Sequence, residues 1–392
     1  MSPVADGVDE DPDVDGVLGA RMVGAARAWL AALDDAQTPI AHHQPDDVLA
    51  SSERLTWFYT PTDHGGLTFH QQTPAQQGLA VQLVGSGLSY AGHAAVSLVL
   101  GMENVLDRLE GYAVHWGRER GRDPQLYFLR VFGTPGDGLW GWRFGGHHVS
   151  LNHTLDGDRL VSATPNFLGS DPARVPLPGD THVEILGGHV AIARRLMASL
   201  SDSQRALAIG HPTAISDIVT GNRPQVHPGD EMIHMQDLWR GRFADPALEE
   251  VVEQIDVRAE AGSGYGPSDH ASLAIPATPA GLRATEMSEA QRELLRTLIG
   301  GFHDRLPEEL ASREHARYAA DPELDQVALL WAGPTDPGEG HYFRLHGQRL
   351  LVEYDNTQRD ANHAHSVLRD PLADFGLDPL REHRQTAHSS QD

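Results

Sequence analysis

Gln125–Asn152 reads QLYFLRVFGTPGDGLWGWRFGGHHVSLN, and this stretch decides the fold. Two runs rich in aromatic and β-branched residues, 126–132 and 140–154, flank Gly133-Thr134-Pro135-Gly136-Asp137-Gly138, the composition of a hairpin loop. A second copy lies 201 residues on. Gln125-Leu126-Tyr127-Phe128-Leu129 aligns with Gln326-Val327-Ala328-Leu329-Leu330, Trp142-Arg143-Phe144 with Phe343-Arg344-Leu345, and Gly146 with Gly347. Each copy follows helices that open at Thr73-Pro74-Ala75-Gln76 and Ser288-Glu289-Ala290-Gln291, cap residues of good helix starts. Neither hairpin can bury a sheet face alone. The expected fold is therefore α+β: an antiparallel sheet from two pseudo-twofold-related helix-pair/β-hairpin units, covered by helices.

Outward from the repeats, residues 1–16 are acidic and are expected to be a disordered tail. A single domain is expected over 17–384, with the duplication at about 73–154 and 288–355. The segment 51–60 reads as a strand, and Ala91–His115 as a helix. Residues 211–280 carry many Gly and Pro and read as a loop-rich insertion, a kind of segment that is often functional. The polar end, 385–392, is expected to fray.

Composition narrows the chemistry. The chain of 392 residues carries 30 cationic side chains, all Arg, against 55 Asp and Glu, for a net charge of −25, and it has no Cys. Without Lys there is no Schiff base or P-loop lysine, and without Cys no thiol nucleophile or thiolate metal site. The 23 His, the carboxylates, the hydroxyls and Arg remain. The acidity argues against a nucleic-acid partner. The N-terminal run from Asp6 to Asp15 is neither a secretory nor a transit signal, and no apolar stretch is long enough to span a membrane, so a cytoplasmic, soluble protein is expected. There is no G-x-G-x-x-G opening a helix, no H-E-x-x-H and no complete nucleophile elbow.

Three polar clusters could carry chemistry. Glu353 and Asp355 share a face if their segment is a strand, as do His363 and His365. Two imidazoles with carboxylates suit Zn, Mn, Fe or Cu. In Gly145–His153, alternation places His148, Ser150 and Asn152 on one face and His147 and His153 on the other. Asp63-His64, in a Gly-rich turn, has the makeup of a general base with its orienting carboxylate, or of a simple Asx-turn. Asp217–Pro224 offers an Arg that could hold a substrate carboxylate or tie down a loop. Buried strand-face polar residues are costly unless paired, so matching ones in two copies point to one shared cavity.

Tyr59-Thr60-Pro61-Thr62-Asp63-His64-Gly65-Gly66-Leu67, Trp142–Asn152, Glu353-Tyr354-Asp355-Asn356, Asn362–His365, Arg369-Asp370 and Asp374-Phe375-Gly376 together resemble the DUF3500 family, from about residue 20 to 384. Leu368 departs from the aromatic residue expected there. The resemblance implies that these clusters belong to one site, and supplies no activity, metal or substrate.

The reading is a metal-dependent enzyme acting on a small molecule, more hydrolytic than oxidative. A divalent transition metal would be held by His148, His363, His365, Glu353 and Asp355. Asp63, His64 and Asn152 would serve catalysis, with Arg143, Arg344 or Arg369 binding an anion. The competing readings are a small-molecule binding protein without turnover, a metal-dependent oxidoreductase, and a purely structural polar network.

Overall fold

The computed structural model describes residues 12–240, 246–264, 266 and 269–377. The expected frayed end, 385–392, lies outside them. The first helix, α1 (Pro12–Ala31), begins five residues inside the segment expected to be a disordered tail. After it come α2 (Thr38–Ala41), β1 (His42–His43) and α3 (Ser52–Leu55), the last two joined by loop. The strand expected over 51–60 is thus a short helix and an extended segment, because its backbone pairs with no neighbouring strand.

β2 (Leu67–Thr68), α4 (Pro74–Ser86) and α5 (Tyr90–Leu109) lead into the first hairpin system: β3 (Phe128–Thr134), β4 (Asp137–Gly146), β5 (Val149–Asp156), β6 (Arg159–Ser162) and β7 (Asn166–Ser170). A separate two-stranded ribbon, β8 (Arg174–Leu177) and β9 (Thr181–Glu184), precedes α6 (Gly187–Ser199), α7 (Asp202–Ala208) and β10 (Ile209–His211). The insertion is less irregular than its Gly and Pro suggest, since it contains the 18-residue helix α8 (Pro246–Ser263) and α9 (His270–Leu273). Then follow β11 (Leu282–Arg283), α10 (Glu289–His303), α11 (Glu308–Ala319), α12 (Asp321–Leu324) and strands β12 (Ala328–Ala332), β13 (Tyr342–His346), β14 (Leu351–Gln358) and β15 (His363–Arg369).

The result is mixed α+β, built on one large, mostly antiparallel sheet. Its order is β1-β3-β4-β5-β7-β15-β14-β13-β12-β10, with β2, β6 and β11 attached to β3, β5 and β12. The pairs β1–β3 and β10–β12 are parallel. No helix among the described residues is long and apolar enough to cross a membrane.

The two faces differ in kind. One carries Leu129, Trp140, Trp142, Trp331 and Phe343 and packs on helices through Trp29, Leu83, Leu196 and Leu298. Helix starts lock this layer. Thr73 and Ser288 accept from the Gln three residues on, and those Gln side chains donate to Ala32 O and Ser199 O, each at 2.8 Å, tying α4 to the end of α1 and α10 to the end of α6.

The opposite face is covered by loops and sets buried charged residues among two apolar clusters, one around Tyr342 and Leu351 and one around Phe167 and Val367. Arg143 donates to Glu53 O and His64 O in the 44–66 loop. Arg344 donates to Leu273 O and Ala274 O in the insertion. Glu353 accepts from the Val219 and Thr220 amides and from the hydroxyls of Thr220 and Tyr342. Arg369 pairs with Asp374 at 2.7 Å and donates to Thr220 O, Arg223 O and Pro224 O. A loop brings unpaired backbone groups to a sheet, and buried side chains of both signs satisfy them.

Two glycines mark close approaches. A Cβ at Gly281 (φ +109°) would lie 2.2 Å from Leu329 O, and one at Gly66 (φ +119°) 2.7 Å from Leu129 O. Gly281→Ala is expected to destabilise the protein by about 2–3 kcal/mol, since it combines a disfavoured φ with a backbone clash. Denaturant unfolding checks this, and a loss below about 0.5 kcal/mol would show that the β11–β12 approach relaxes freely.

Candidate metal centre

His363 and His365 stand on one face of β15, as their spacing predicts, and Asp355 of β14 lies directly opposite His365. His148 reaches them from the other half of the sheet. Gly145–His153 is not one strand: the chain reverses at His147-His148, between β4 and β5, and His148 takes a left-handed backbone (φ +65°). The turn is held because the His148 amide donates to Tyr59 O (3.0 Å) and the Gly169 amide donates to His148 O (2.8 Å). The side chain therefore points across β7 towards β15.

His148 Nε2 lies 2.9 Å from His363 Nε2, and one nitrogen from each of His148, His363 and His365 falls within 4.8 Å of the others. Burial drives the His148 and His363 imidazoles well below their ordinary range, reinforced by neighbouring imidazoles. Burial thus favours their neutral forms, which keep a lone pair each. Two facing lone pairs repel unless a proton or a cation lies between them.

The third imidazole is oriented from behind. His365 Nδ1 is 2.8 Å from Asp217 Oδ1. Asp217 also accepts from the Ile218 amide (2.7 Å) and the Tyr59 hydroxyl (3.1 Å), which makes it an acceptor on both oxygens. The proton then sits on His365 Nδ1 and its Nε2 is free to ligate, the arrangement that fixes the tautomer of metal-bound histidines.

These residues open onto a pocket of about 1060 Å³. The insertion supplies one wall through Leu248, Val251, Ile255 and Ala259 of α8, spaced at helical period, with Met235 and Trp239. Trp116 packs against Trp239 at 5.1 Å between ring centroids. Charges line the rest. Arg122 grips Glu110 through two hydrogen bonds of 2.8 and 2.9 Å, and Arg359 bridges Glu110 and Asp171, each at 2.8 Å. Asp171 is pushed up to about 6 by burial, and its Oδ1 is buried without a hydrogen-bond partner. Beside His148, His147 Nδ1 meets Glu103 Oε1 at 2.5 Å, and burial pushes Glu103 up to about 8.

Residues 15–377 match a family described as a protein of unknown function, DUF3500. The chain belongs to the DUF3500 family. No curated protein and no solved structure matches it.

Of the expected site residues in this DUF3500 chain, His148, His363 and His365 come together and line the pocket. Asp63, His64, Asn152, Arg143, Arg344, Arg369, Glu353 and Asp355 are not among its lining residues, so of the three clusters only His148 and the His363/His365 pair meet at this cavity. Asp63 makes an Asx-turn to the Gly65 amide (2.7 Å). His64 stacks on Phe128 and bonds Thr60 O, and burial drives it down to about 3. Asn152 donates to Pro165 O. Glu353, Arg143, Arg344 and Arg369 clamp loops, as described above. Asp355 accepts from Thr357 and keeps Oδ2 buried without a partner, and burial with the nearby Asp217 raises it well above the carboxylate range.

The same geometry adds residues that sequence reasoning did not assign: Asp217 as orienter, and Glu103, His147, Glu110, Arg122, Asp171 and Arg359 around the centre. Two glycines directly before His147-His148 were a turn signal. Glu103, in the middle of an amphipathic helix, carried none.

Proposed function

We propose that this DUF3500 chain is a metal-dependent enzyme that acts on a small molecule, by hydrolysis. The observation that carries the reading is the convergence of His148, His363 and Asp217-oriented His365 at a pocket whose volume suits a small ligand. The three imidazoles would hold a divalent transition metal and leave a position open to the pocket. Such a metal supplies a hydroxide near neutral pH and polarises a substrate carbonyl or phosphoryl oxygen. Arg122 and Arg359 would face a substrate's anionic group, while the α8 wall and the two tryptophans would exclude water from its apolar body. The net charge of −25 favours such a ligand over nucleic acid.

Protein purified without chelators is expected to carry at least one transition-metal ion per chain by elemental analysis, and to hydrolyse some member of a panel of esters, lactones and phosphoesters. Metal without turnover on the panel would leave the binding-protein reading. No metal, with none taken up on titration with Zn²⁺, would end the metal reading. Asp217→Asn is expected to weaken Zn²⁺ binding by about 10–100-fold, as loss of an orienting carboxylate does. Competition with a chromophoric chelator measures this, and unchanged affinity would remove Asp217 from the site.

We also propose that the two halves of the sheet arose by duplication and are related by a pseudo-twofold axis near the β7–β15 pair. What supports it is the register. Arg143 pairs with Asn152 and Arg344 with Glu353, which keeps the offset of 201 in the second and third strands. In the first strand the offset is 200, since Leu129 pairs with Phe144 and Leu329 with Leu345. The direct alignment of Gln125–Leu129 with Gln326–Leu330 therefore slips by one residue.

A further inference from the structure

We infer that the chain holds a second metal position, formed by Glu103, His147 and His148, beside the three-histidine centre. It rests on that centre being a metal site, because His148 is common to both.

Ligand-capable atoms of these three residues also lie within 4.8 Å of one another. They come from separate elements: Glu103 from α5, and the two histidines from the turn after β4. Glu103 is 3% exposed, and the hydrogen bond that the structure gives its side chain is the 2.5 Å contact to His147 Nδ1. A buried carboxyl with a single imidazole partner is costly, and a bound cation would compensate it.

The nearest guanidinium does not fill that role. Arg122 spends its Nε and Nη2 on Glu110, and its Nη1 contacts the two ring nitrogens of His147 at 3.4 and 3.5 Å rather than the Glu103 carboxyl. The rings of His147 and His148 are 3.7 Å apart between centroids. His148 directs Nε2 at His363, and the structure gives its Nδ1 no hydrogen bond. One imidazole can ligate through either nitrogen, and through both once metal binding releases its remaining ring proton to solvent, so as an imidazolate His148 would serve an ion on each side. The left-handed turn at His148 sets its imidazole beside both groups.

A bridging imidazole keeps its ions farther apart than the ~3.5–4 Å of pairs that jointly clamp one reacting group. The second ion would thus bind an anionic part of the substrate, while the first carries the water.

Titration of metal-free protein with Zn²⁺ tests the inference. The wild-type chain is expected to saturate at two ions, Glu103→Gln and His147→Asn each at one, and His363→Ala also at one. Saturation of the wild type at one ion, or at two ions that neither Glu103→Gln nor His147→Asn reduces, overturns the second position and leaves the first standing. No Zn²⁺ bound at all overturns both. A measurement on the wild type needs no variant: with Cu²⁺, the paramagnetic resonance signal is expected to fall as the second equivalent couples to the first through His148. An isolated-ion signal that grows through two equivalents overturns the shared ligand.

Discussion

His148→Asn protein is expected to bind no Zn²⁺ at either position while folding normally. Asn is among the few residues that tolerate the left-handed backbone found at His148, and its amide is a far poorer ligand than imidazole. The turn's two backbone hydrogen bonds, to Tyr59 O and from Gly169, survive the change. Affinity is expected to fall more than ~100-fold, beyond the loss from a displaced orienting carboxylate, with a change in stability under about 1.5 kcal/mol. Replacing His363 or His365 with Ala is expected to remove the proposed three-histidine ion on the same reasoning. Zn²⁺ titration and denaturant unfolding on one preparation decide it. Normal metal affinity would show that His148 is no ligand, and collapse of the fold would make it a structural residue.

The second large effect is expected at Glu353, where Ala should destabilise the protein by roughly 4 kcal/mol. Its carboxyl accepts from two amides and two hydroxyls in a fully buried place, and each donor left unpaired costs ~1 kcal/mol or more. The amides belong to Val219 and Thr220, two and three residues after Asp217. Zn²⁺ affinity should therefore fall as well, and by no more than the loss expected for Asp217→Asn. Complete loss of metal with unchanged stability would instead restore Glu353 as a ligand.

Glu353 also shows why the site was harder to read than the fold. The hairpins announced themselves through alternating aromatic residues around glycine loops, a pattern with few other solutions. His363 and His365 were legible because two residues apart in a strand is one face. A polar side chain on a buried strand face looks the same in sequence whether it ligates a metal or clamps a loop. Glu353, Arg143, Arg344 and Arg369 clamp loops here, because the sheet's second face is covered by irregular chain whose backbone groups need partners. His148 was singled out, but from a strand that is a turn. Helix α8 was hidden by the Gly and Pro around it, although Leu248, Val251, Ile255 and Ala259 keep helical period. Glu103 and Asp217 reach the histidines from more than 40 residues away in sequence, and only tertiary packing brings them there.

The sheet joins its two halves through the β7–β15 pair, and the three histidines straddle that seam, one from the left and two from the right. A chain cut within the β8–β9 ribbon would leave each fragment with an incomplete three-histidine shell, while Glu103, His147 and His148 would stay together on the first fragment. Uptake of the three-histidine ion would then report reunion of the fragments: that ion bound with native affinity would mean that the seam has closed in register. A one-residue slip of β15 against β7 would turn His363 and His365 to the helix-covered face. The proposed metal centre would thus act as a proofreader of strand pairing at the middle of the molecule.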